Sequence, residues 1–338
     1  MFIIGIDPHK ASHTAAVVDG HERVLAELRV RADRRQRERL IGWANGYTPR
    51  VWAVEGASGV GALLAQQLVA AGEHVVDVPA ALSARARLLD SGHKDKTDSH
   101  DARAAAIVAL RHPDLRCVER EDQVQVLRLL ARRHHQLTAG RTRAACRLHT
   151  ALALMVEGGL PNRLSADRAA RALRSIRPTD GVGVERKRIA LEFLNEIRRH
   201  DRAIAQLHTR IVAAVGAADT TVTDVHGVGP IVACYLIGYT GDITRFPSAG
   251  HYARYNATAP IEASSGPKVR HRLNPNGNRQ LNHAIHIAAL AQITHDTPGR
   301  VYYQRKQAEG KSRREALRCL KRRVSDAVYA RLRADRTH

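Results

Sequence analysis

The sequence has few cysteines, few aromatic residues and no long hydrophobic run, and each scarcity excludes a class of protein. The four cysteines are far apart and form no C-x-x-C pair, which excludes a zinc ribbon and a disulfide scaffold. No apolar segment approaches the roughly 18 residues that span a membrane, and the apolar start reaches Asp7 without a basic region, unlike a signal peptide. Aromatic residues make up 4% of the chain, so base stacking is not its main means of binding. We therefore expect a cytoplasmic, nucleoid-associated protein.

What the sequence has in excess is positive charge, and that charge is uneven. The net charge is +21 over 338 residues, a length that suggests two or three domains. Residues 1–120 carry 17 basic and 15 acidic side chains, residues 121–220 carry 18 and 10, and residues 221–338 carry 19 and 8. A nearly neutral front and a basic rear predict a polyanion partner for the rear two-thirds. The alternative is a generally basic proteome, in which the excess has no specific partner.

The first 118 residues alternate between predicted strands and helices. Apolar runs predict five strands, at 2–7, 14–18, 24–30, 51–55 and 74–78. Helical patterns lie at 33–46, 60–71, 80–90 and 98–111. Three antiparallel strands followed by helix, strand, helix, strand and helix give the order of a ribonuclease-H-like fold, because a plain doubly wound fold does not open with two hairpins.

Residues 119–215 show a heptad pattern. One seam repeats every seven positions from Leu127 to Met155, with polar His134 and Arg141 among its members, and a second runs from Ala190 to Ile211. Glycines and prolines separate the two helices: Gly158, Gly159 and Pro161 follow the first, and Pro178, Gly181 and Gly183 precede the second. The pattern is typical of a coiled coil, which predicts self-association into a dimer or tetramer. The alternative is an intramolecular helical hairpin, with a short basic helix at 165–177 as its tip.

Residues 216–338 form a third, mainly helical part. The motif His226-Gly-Val-Gly-Pro230 is typical of a helix-hairpin-helix element, whose backbone at Gly227 and Gly229 would bind a nucleic-acid phosphate. The alternative is an ordinary loop before a helix that starts at the proline. A Gly/Pro/Ser-rich stretch covers 258–278, and Arg305–Arg336 is a tail with 12 basic and 4 acidic residues.

Four carboxylates stand where the predicted fold brings side chains together. Asp7 ends the first strand and Glu55 ends the fourth, and these two strands lie side by side in a ribonuclease-H-like sheet. Asp98 and Asp101 are three residues apart, on one face of a following helix. Such groups repel one another unless cations neutralise them, and hard oxygen ligands select Mg²⁺ or Mn²⁺. Each carboxylate alone has an ordinary explanation, such as a strand end, a helix cap or a solvated face, but together they predict a metal site for phosphodiester chemistry.

A glycine motif after the fourth strand offers a different interpretation. Gly56-Ala-Ser-Gly59-Val-Gly61 follows a strand and opens a helix, as a dinucleotide-binding motif does. Its spacing differs from G-x-G-x-x-G, and the negative charge of Glu55 would face a pyrophosphate. We interpret the motif as a tight strand-to-helix turn.

The Gly/Pro/Ser-rich stretch contains a candidate nucleophile. Ser264 and Ser265 precede three cations, Lys268, Arg270 and Arg272, which would hold a phosphate that a serine attacks. The local sequence assigns no base to activate the hydroxyl.

In this order the motifs resemble DEDD-type insertion-sequence transposases and the related pilin-gene DNA invertases, over nearly the whole chain. The elements that carry the resemblance are FIIGIDPHK at 2–10, Glu55-Gly56, KTDSHDA at 96–102, His226–Pro230, Arg245-Phe246, Ser265-Gly266 and Gly277-Asn278. Two positions depart from the pattern. Residues 255–260 read YNATAP where such proteins carry Y-x-G-L-x-P, and Asn282 stands where they often have arginine.

The resemblance implies a multidomain α/β plus α protein. Its parts would be a ribonuclease-H-like (Holliday-junction-resolvase-like) domain at 1–118, a coiled coil at 119–215, and a C-terminal transposase domain with the helix-hairpin-helix element at 216–338. It also implies an oligomer that a structured bridge RNA guides to its DNA, with an active site that combines two protomers.

The resemblance further implies the roles of single residues. Asp7, Glu55, Asp98 and Asp101 would be the metal-binding tetrad, and Ser265, rather than Ser264, would form a covalent phosphoserine link to DNA. We therefore predict an RNA-guided transposase, or site-specific recombinase, that excises and inserts its mobile element.

Three other functions remain open from the residues. A metal-dependent junction nuclease would use water in place of the serine, and a non-enzymatic RNA- or DNA-binding scaffold would carry a degenerate metal site. A sugar-kinase-like ATPase shares the strand order but would need a second domain of the same kind.

Overall fold

The computed structural model describes residues 1–90, 97–157, 164–262, 271–272 and 274–336, in two compact units. Unit 1 comprises Met1–Glu121 and unit 2 comprises Asp122–His338. Within the described residues, none of the helices is both long enough and apolar enough to cross a membrane.

A five-stranded mixed sheet forms the centre of unit 1. Its strands are β1 (Phe2–Pro8), β2 (Ser12–Val18), β3 (Val24–Arg31), β4 (Arg50–Glu55) and β5 (Val75–Val78). The order is β3-β2-β1-β4-β5, with β3, β2 and β1 antiparallel and β1, β4 and β5 parallel. The mixed sheet predicted from the sequence is thereby confirmed, with the first and fourth strands adjacent at its centre.

Four helices cover the two faces of this sheet. They are α1 (Gln36–Trp43), α2 (Ala62–Ala70), α3 (Ala80–Asp90) and α4 (Asp98–Arg111). Side chains of β1 alternate between two hydrophobic cores, with Ile4 and Ile6 in one and Ile3 in the other. This alternation follows from the two-residue period of a strand, and it explains why the central strands are apolar throughout.

The approach of α4 to β1 depends on Gly5. A Cβ atom at Gly5 would lie 1.9 Å from the backbone oxygen of Ala102 and 2.7 Å from the backbone nitrogen of Ala106. The helix therefore crosses the strand at a distance that only glycine permits. The hydroxyl of Thr97 starts α4 by accepting a hydrogen bond from the His100 amide at 3.3 Å.

Unit 2 is mostly helical, as predicted. Its helices are α5 (Gln123–Ala153), α6 (Ala166–Ser175), α7 (Gly181–Gly216), α8 (Pro230–Thr240), α9 (Ala249–Tyr255), α10 (Arg279–Thr294), α11 (Pro298–Ala308) and α12 (Arg313–Asp335). Two short strands, β6 (Ile261–Glu262) and β7 (His271–Arg272), pair in antiparallel fashion.

The two longest helices, α5 and α7, pack against each other in antiparallel orientation within the chain. Leu127 and Val215 share one core with α8, α10 and α12, whereas Leu152 and Ala190 share a second core with α6. The seam found in the sequence is thus buried within one chain. Self-association through a coiled coil stays a prediction.

The polar members of the seam have partners on two neighbouring helices. His134 Nδ1 lies 3.0 Å from the hydroxyl of Tyr235 in α8, and Arg141 Nε donates to Asp201 Oδ1 in α7 at 2.5 Å. These specific polar pairs favour the observed register of α5 against α7 and α8.

The start of α7 differs from the prediction. Gly181 and Gly183 were expected to precede this helix, but both lie in its first turn. The reason is a cap: Asp180 Oδ1 accepts a hydrogen bond from the Gly183 amide at 2.8 Å, which offsets the poor helix propensity of glycine.

The middle and C-terminal parts share a core. Residues before 216, such as Leu127 and Ile211, pack with residues after it, such as Leu236 and Leu320. The structure divides into two units, Met1–Glu121 and Asp122–His338. The three-domain division with boundaries at 118 and 215 stays a prediction.

Candidate metal centre

Asp7 and Glu55 lie at the same end of two adjacent parallel strands. The register pairs Ile6 of β1 with Val54 of β4, so the next residue of each strand is one of these carboxylates. Asp7 is 7% exposed, and Glu55 is half-buried. The pairing predicted from two apolar strands therefore brings both groups to one edge of the sheet.

The first turn of α4 adds Asp98 and Asp101 to this edge. Asp101 is 4% exposed, and its charge, like that of Asp7, acts on Glu55. Asp98 is more exposed and lies on the side of Asp7. The close crossing of α4 at Gly5 is what holds the turn there.

Basic side chains of unit 1 contact these carboxylates. His9 Nε2 is 3.0 Å from Asp7 Oδ2 and 3.2 Å from Asp98 Oδ1. The guanidinium of Arg29 lies 3.4 Å from the other oxygen of Asp98, and Arg87 forms an ion pair with Asp101. These contacts reduce the repulsion that several neighbouring carboxylates would otherwise produce.

Glu55 has the most unusual environment of the four. Burial raises the pKa of its carboxyl group, and the nearby charges of Asp7 and Asp101 raise it further, whereas Ser83 and Arg87 oppose the shift. Its Oε2 atom is buried and, within the described part of the chain, accepts no hydrogen bond. A buried acceptor without a donor is costly, and a bound cation would remove that cost.

The donor set fits a divalent metal ion. One ligand atom from each of Asp7, His9 and Asp98 lies within 4.8 Å of the others. Carboxylate oxygens with one imidazole suit Mg²⁺ or, because of the nitrogen, Mn²⁺. With Glu55 as the buried acceptor beside this group, these residues are the ones that would hold the metal.

Three residues at this site were missed in the sequence. His9 follows Asp7 by two positions, and this short spacing on an extended strand was the available signal. Ser83 and Arg87 are separated by one turn of α3, but nothing in the sequence indicates that this helix faces the carboxylates.

The predicted nucleophile cannot be placed beside this centre. Ser264, Ser265, Lys268 and Arg270 lie outside the described residues, and only the backbone of Arg272, in β7, is described. Their roles stay predictions.

The glycines at 226–230 have an additional structural role. Gly227 has a φ of +85°, and a Cβ atom there would lie 2.6 Å from the backbone oxygen of Ala288 in α10. Gly229 is the N-cap residue of α8 and provides no side-chain cap. Phosphate binding at these glycines, and the helix-hairpin-helix element, stay predictions.

The glycine motif after β4 is a tight turn, as interpreted. Gly56 has a φ of +60°, and a Cβ atom at Gly61 would lie 2.7 Å from Val54. Asp77 accepts hydrogen bonds from the Ala57 amide and the Ser58 hydroxyl, both at 2.9 Å. An acidic residue thus holds the loop, which suits a structural turn better than a pyrophosphate site.

Two segments of the chain match profiles of known protein families. Residues 4–156 match the profile DEDD_Tnp_IS110, described as a transposase, and residues 219–304 match the transposase profile of the IS116/IS110/IS902 family. Together the two profiles span well over half of the chain. A mixed sheet with acidic residues at its centre and a helical remainder is therefore the framework of a transposase, an enzyme that acts on DNA. The chain belongs to the IS110/IS116 family of DEDD transposases.

Full-length relatives are similar over almost the entire chain. The insertion element IS116 uncharacterized 44.8 kDa protein of Streptomyces clavuligerus is 27% identical, over 98% of this chain and 95% of its own length. The insertion element IS900 uncharacterized 42 kDa protein of Mycobacterium paratuberculosis is also 27% identical, over 97% and 95%. The insertion element IS110 uncharacterized 43.6 kDa protein of Streptomyces coelicolor is 39% identical over 33% of this chain and 28% of its own length.

Among solved structures, Thermus thermophilus RuvC has a weak likeness to this chain. RuvC alone and RuvC with a Holliday junction substrate are each 18% identical, with a TM-score of 0.28, over 35% of this chain and all or nearly all of theirs. At these values the likeness adds nothing to the strand order described above.

Proposed function

We propose that this transposase cuts and rejoins DNA to excise and insert its mobile element, with Asp7, Glu55, Asp98 and Asp101 as its metal-binding carboxylates. The observation that carries the proposal is that Asp7 and Asp101 act on Glu55, whose buried Oε2 accepts no hydrogen bond within the described residues, while His9 joins Asp98 to Asp7. The metal would be Mg²⁺ or Mn²⁺, which supplies Lewis-acid stabilisation of a phosphodiester during cleavage.

The protein's own residues orient this centre. His9 contacts Asp7 and Asp98 and would add its imidazole nitrogen to the ligand set. Arg87 forms an ion pair with Asp101. Arg87 is a positioning residue, since it acts through a carboxylate.

The nucleophile that we propose is the Ser265 hydroxyl. Its oxygen would form a bond to phosphorus, the bond from phosphorus to one bridging deoxyribose oxygen would break, and the hydroxyl proton would end on that leaving oxygen. A DNA hydroxyl would then attack the phosphoserine and restore the serine. Because bond energy is kept in the link, the reaction needs no ATP. Lys268, Arg270 and Arg272, with Gly227 and Gly229, would hold the DNA backbone.

The alternative is a structure-specific nuclease that uses water at the same carboxylates. The carboxylates gathered in unit 1 favour it, because hydrolysis by water needs no nucleophilic side chain. In that case hydrolysis leaves free DNA ends and no protein–DNA link.

The proposal includes two partners besides DNA. A guide RNA from the element would account for part of the positive charge in residues 121–338. Self-association as a dimer or tetramer would bring together parts of the active site from two protomers.

One experiment tests the nucleophile and the metal centre together. The full-length protein, co-expressed with RNA from its element, is incubated with element-end DNA and Mg²⁺, denatured, and examined for DNA that migrates with the protein. We expect a covalent adduct with the wild type and with Ser264→Ala, and none with Ser265→Ala. Asp7→Asn is expected to reduce cleavage at least about a hundredfold, because even outer partners of a metal site contribute 10- to 100-fold.

The variants separate the alternatives. Cleavage by Ser265→Ala without an adduct would establish the water-dependent nuclease. Full activity of Asp7→Asn would contradict the metal centre, and Asp33→Asn, an exposed carboxylate elsewhere in unit 1, is the matched control that should remain active.

A further inference from the structure

Helix α12 contains a half-buried lysine, Lys321, that forms no ion pair with any carboxylate of the described residues. Lys321 Nζ donates a hydrogen bond to Asn282 Oδ1 at 2.6 Å, and within the described part of the chain only Asn282 accepts from it. An ammonium group has three N–H donors, so two remain available. Buried cations are normally paired with an anion, which makes this lysine an exception.

A network of hydrogen bonds fixes the position of Asn282. Its Nδ2 atom donates to the backbone oxygens of Asn256 at 2.9 Å and Ala257 at 3.0 Å. The amide oxygen must therefore face Lys321. Asn256, fully buried, donates in turn to the Ser325 hydroxyl at 2.8 Å, and so ties this loop to α12. The ammonium is held in place by a prebuilt arrangement of polar groups.

Basic side chains of α10 lie near Lys321. His286 lies one turn beyond Asn282 on α10, and burial, then the charges of Lys321 and His283, lower its pKa. Arg279 and His283 are exposed and share a face of α10 with His286, by their spacing of four and three residues.

The three acidic residues of α12 are engaged elsewhere. Asp326 pairs with Arg322 at 2.9 Å, Glu315 accepts from Ser312 in the cap of the helix, and Asp335 accepts from Thr220 and Thr221. Lys321 therefore contacts α10 through Asn282 without pairing with a carboxylate of its own helix.

We propose that Lys321, seated on Asn282 beside His286, binds a backbone phosphate of DNA, with Arg279 and His283 at the rim of the site. A poorly hydrated ammonium gains more from an anion than a fully solvated one, and phosphate oxygens accept several donors at once. DNA is the polyanion on which a transposase acts, so the expected ligand of Lys321 is a phosphodiester group of DNA. The site is independent of whether serine or water cuts the DNA.

The test is the salt dependence of DNA binding. The full-length protein and its Lys321→Met variant are titrated with a fluorescent 30-base-pair duplex at several salt concentrations. Loss of one phosphate contact should lower the slope of log K against log salt by about one unit and weaken binding at low salt roughly tenfold. Lys321→Arg should retain most of the slope.

A matched control has the same chemistry at another place. Lys187 is also half-buried, and its Nζ donates to the Ile176 backbone oxygen at 2.9 Å. Lys187→Met should leave the slope unchanged. An unchanged slope in Lys321→Met, or an equal loss in Lys187→Met, would overturn the proposal.

A second variant covers the case in which Lys321→Met does not fold. Asn282→Asp places a carboxylate beside the ammonium, which neutralises it and repels phosphate, although it removes the two hydrogen bonds that Nδ2 donates to the backbone of Asn256 and Ala257. We expect a circular dichroism spectrum like that of the wild type and a lower salt slope. Wild-type binding by folded Asn282→Asp contradicts the site, and a slope change seen with an RNA duplex but not with DNA contradicts DNA as its ligand. Neither result depends on the covalent adduct, so this proposal and the proposed nucleophile can fail separately.

Discussion

The two units use charge in opposite ways. Residues 1–121 carry 17 basic and 16 acidic side chains, whereas residues 122–338 carry 37 and 17. In unit 1 the carboxylates Asp7 and Asp101 are buried at one edge of a sheet, with His9 and Arg87 against them. In unit 2 most cations are exposed on helices. The net charge of a unit therefore does not reveal its most charged site. In unit 1 the acidic and basic groups of the candidate metal centre lie close together and compensate each other.

The units also differ in how their charged groups are placed. The carboxylates of the candidate metal centre in unit 1 depend on contacts between elements distant in sequence, such as β1 with α4. The cations of unit 2 depend mostly on the local period of a helix. A disturbance of packing should therefore damage the centre of unit 1 more than the basic surface of unit 2.

The strongest test of this difference is Gly5→Ala. The new methyl group would meet backbone atoms of α4, which cannot move aside without displacing the turn with Asp98 and Asp101. We expect a loss of about 1–3 kcal/mol in the free energy of unfolding, measured in urea, together with loss of DNA cleavage. Hydrogen exchange should increase in β1 and α4, and DNA affinity should change little.

A glycine with free space is the control for Gly5→Ala. Gly42 lies in α1, where a Cβ atom would meet nothing within 4 Å among the described residues, so Gly42→Ala should stabilise the helix by about 0.5–1 kcal/mol. Equal effects of the two substitutions would show that the crossing of β1 and α4 is not as close as described.

A smaller effect is expected from pH in unit 2. Burial lowers the pKa of His134 in the folded protein, with His135 and His208 contributing in the same direction, whereas the unfolded chain keeps the ordinary value of 6.5. Below about pH 6.5 the unfolded chain therefore binds more protons than the folded one. The free energy of unfolding then decreases as the pH is lowered, until the pH passes below the folded pKa of His134. At higher pH His134 is neutral in both states and adds no pH dependence to the free energy of unfolding.

His134→Gln should make the unfolding free energy less dependent on pH between 7 and 5, by at most one proton in the slope. Urea denaturation at several pH values measures the difference. The same slope in wild type and variant would contradict a buried, neutral His134, and His208→Gln serves as the comparison on the facing helix.

The smallest effect concerns the loop after α9. Ala257 has a φ of +58°, a conformation that costs an alanine about 1–2 kcal/mol. Ala257→Gly should therefore stabilise unit 2 by about 0.5–1 kcal/mol after the larger chain entropy of glycine is counted. Thermal denaturation is the measurement. Ala330→Gly, on the exposed side of α12, should have the opposite sign, and a loss of stability in both would refute the interpretation.

The sheet and the positions of its carboxylates could be predicted because the strand pattern fixes which residues become neighbours. Apolar strands that end in Asp7 and Glu55 become neighbours once the strand order is known, and the bounds of α3 and α4 match the predicted 80–90 and 98–111. The departure from the Y-x-G-L-x-P motif at residues 255–260 is also visible in the backbone. Ala257 stands at the glycine position of the motif and has a left-handed conformation, which glycine adopts more readily.

The rest depended on contacts that no local pattern shows. Arg87 reaches Asp101 only because α3 and α4 pack side by side, and Lys321 meets Asn282 only in the folded unit 2. Gly183 is predicted outside α7 from the poor helix propensity of glycine, but the cap at Asp180 outweighs that propensity and keeps it in the first turn. The partners of charged groups are therefore the part of this protein that sequence reasoning reached least.

The lengths of the paired helices α5 and α7 can be compared with the helical repeat of DNA. At about 1.5 Å per residue, their 31 and 36 residues extend about 46 Å and 54 Å, more than the roughly 34 Å of one turn of B-form duplex. The core with α6 and the core with α8 thus stand at opposite ends of a rigid arm. Removing one heptad from each helix would keep the seam in phase and shorten the arm by about 10 Å, close to three base pairs.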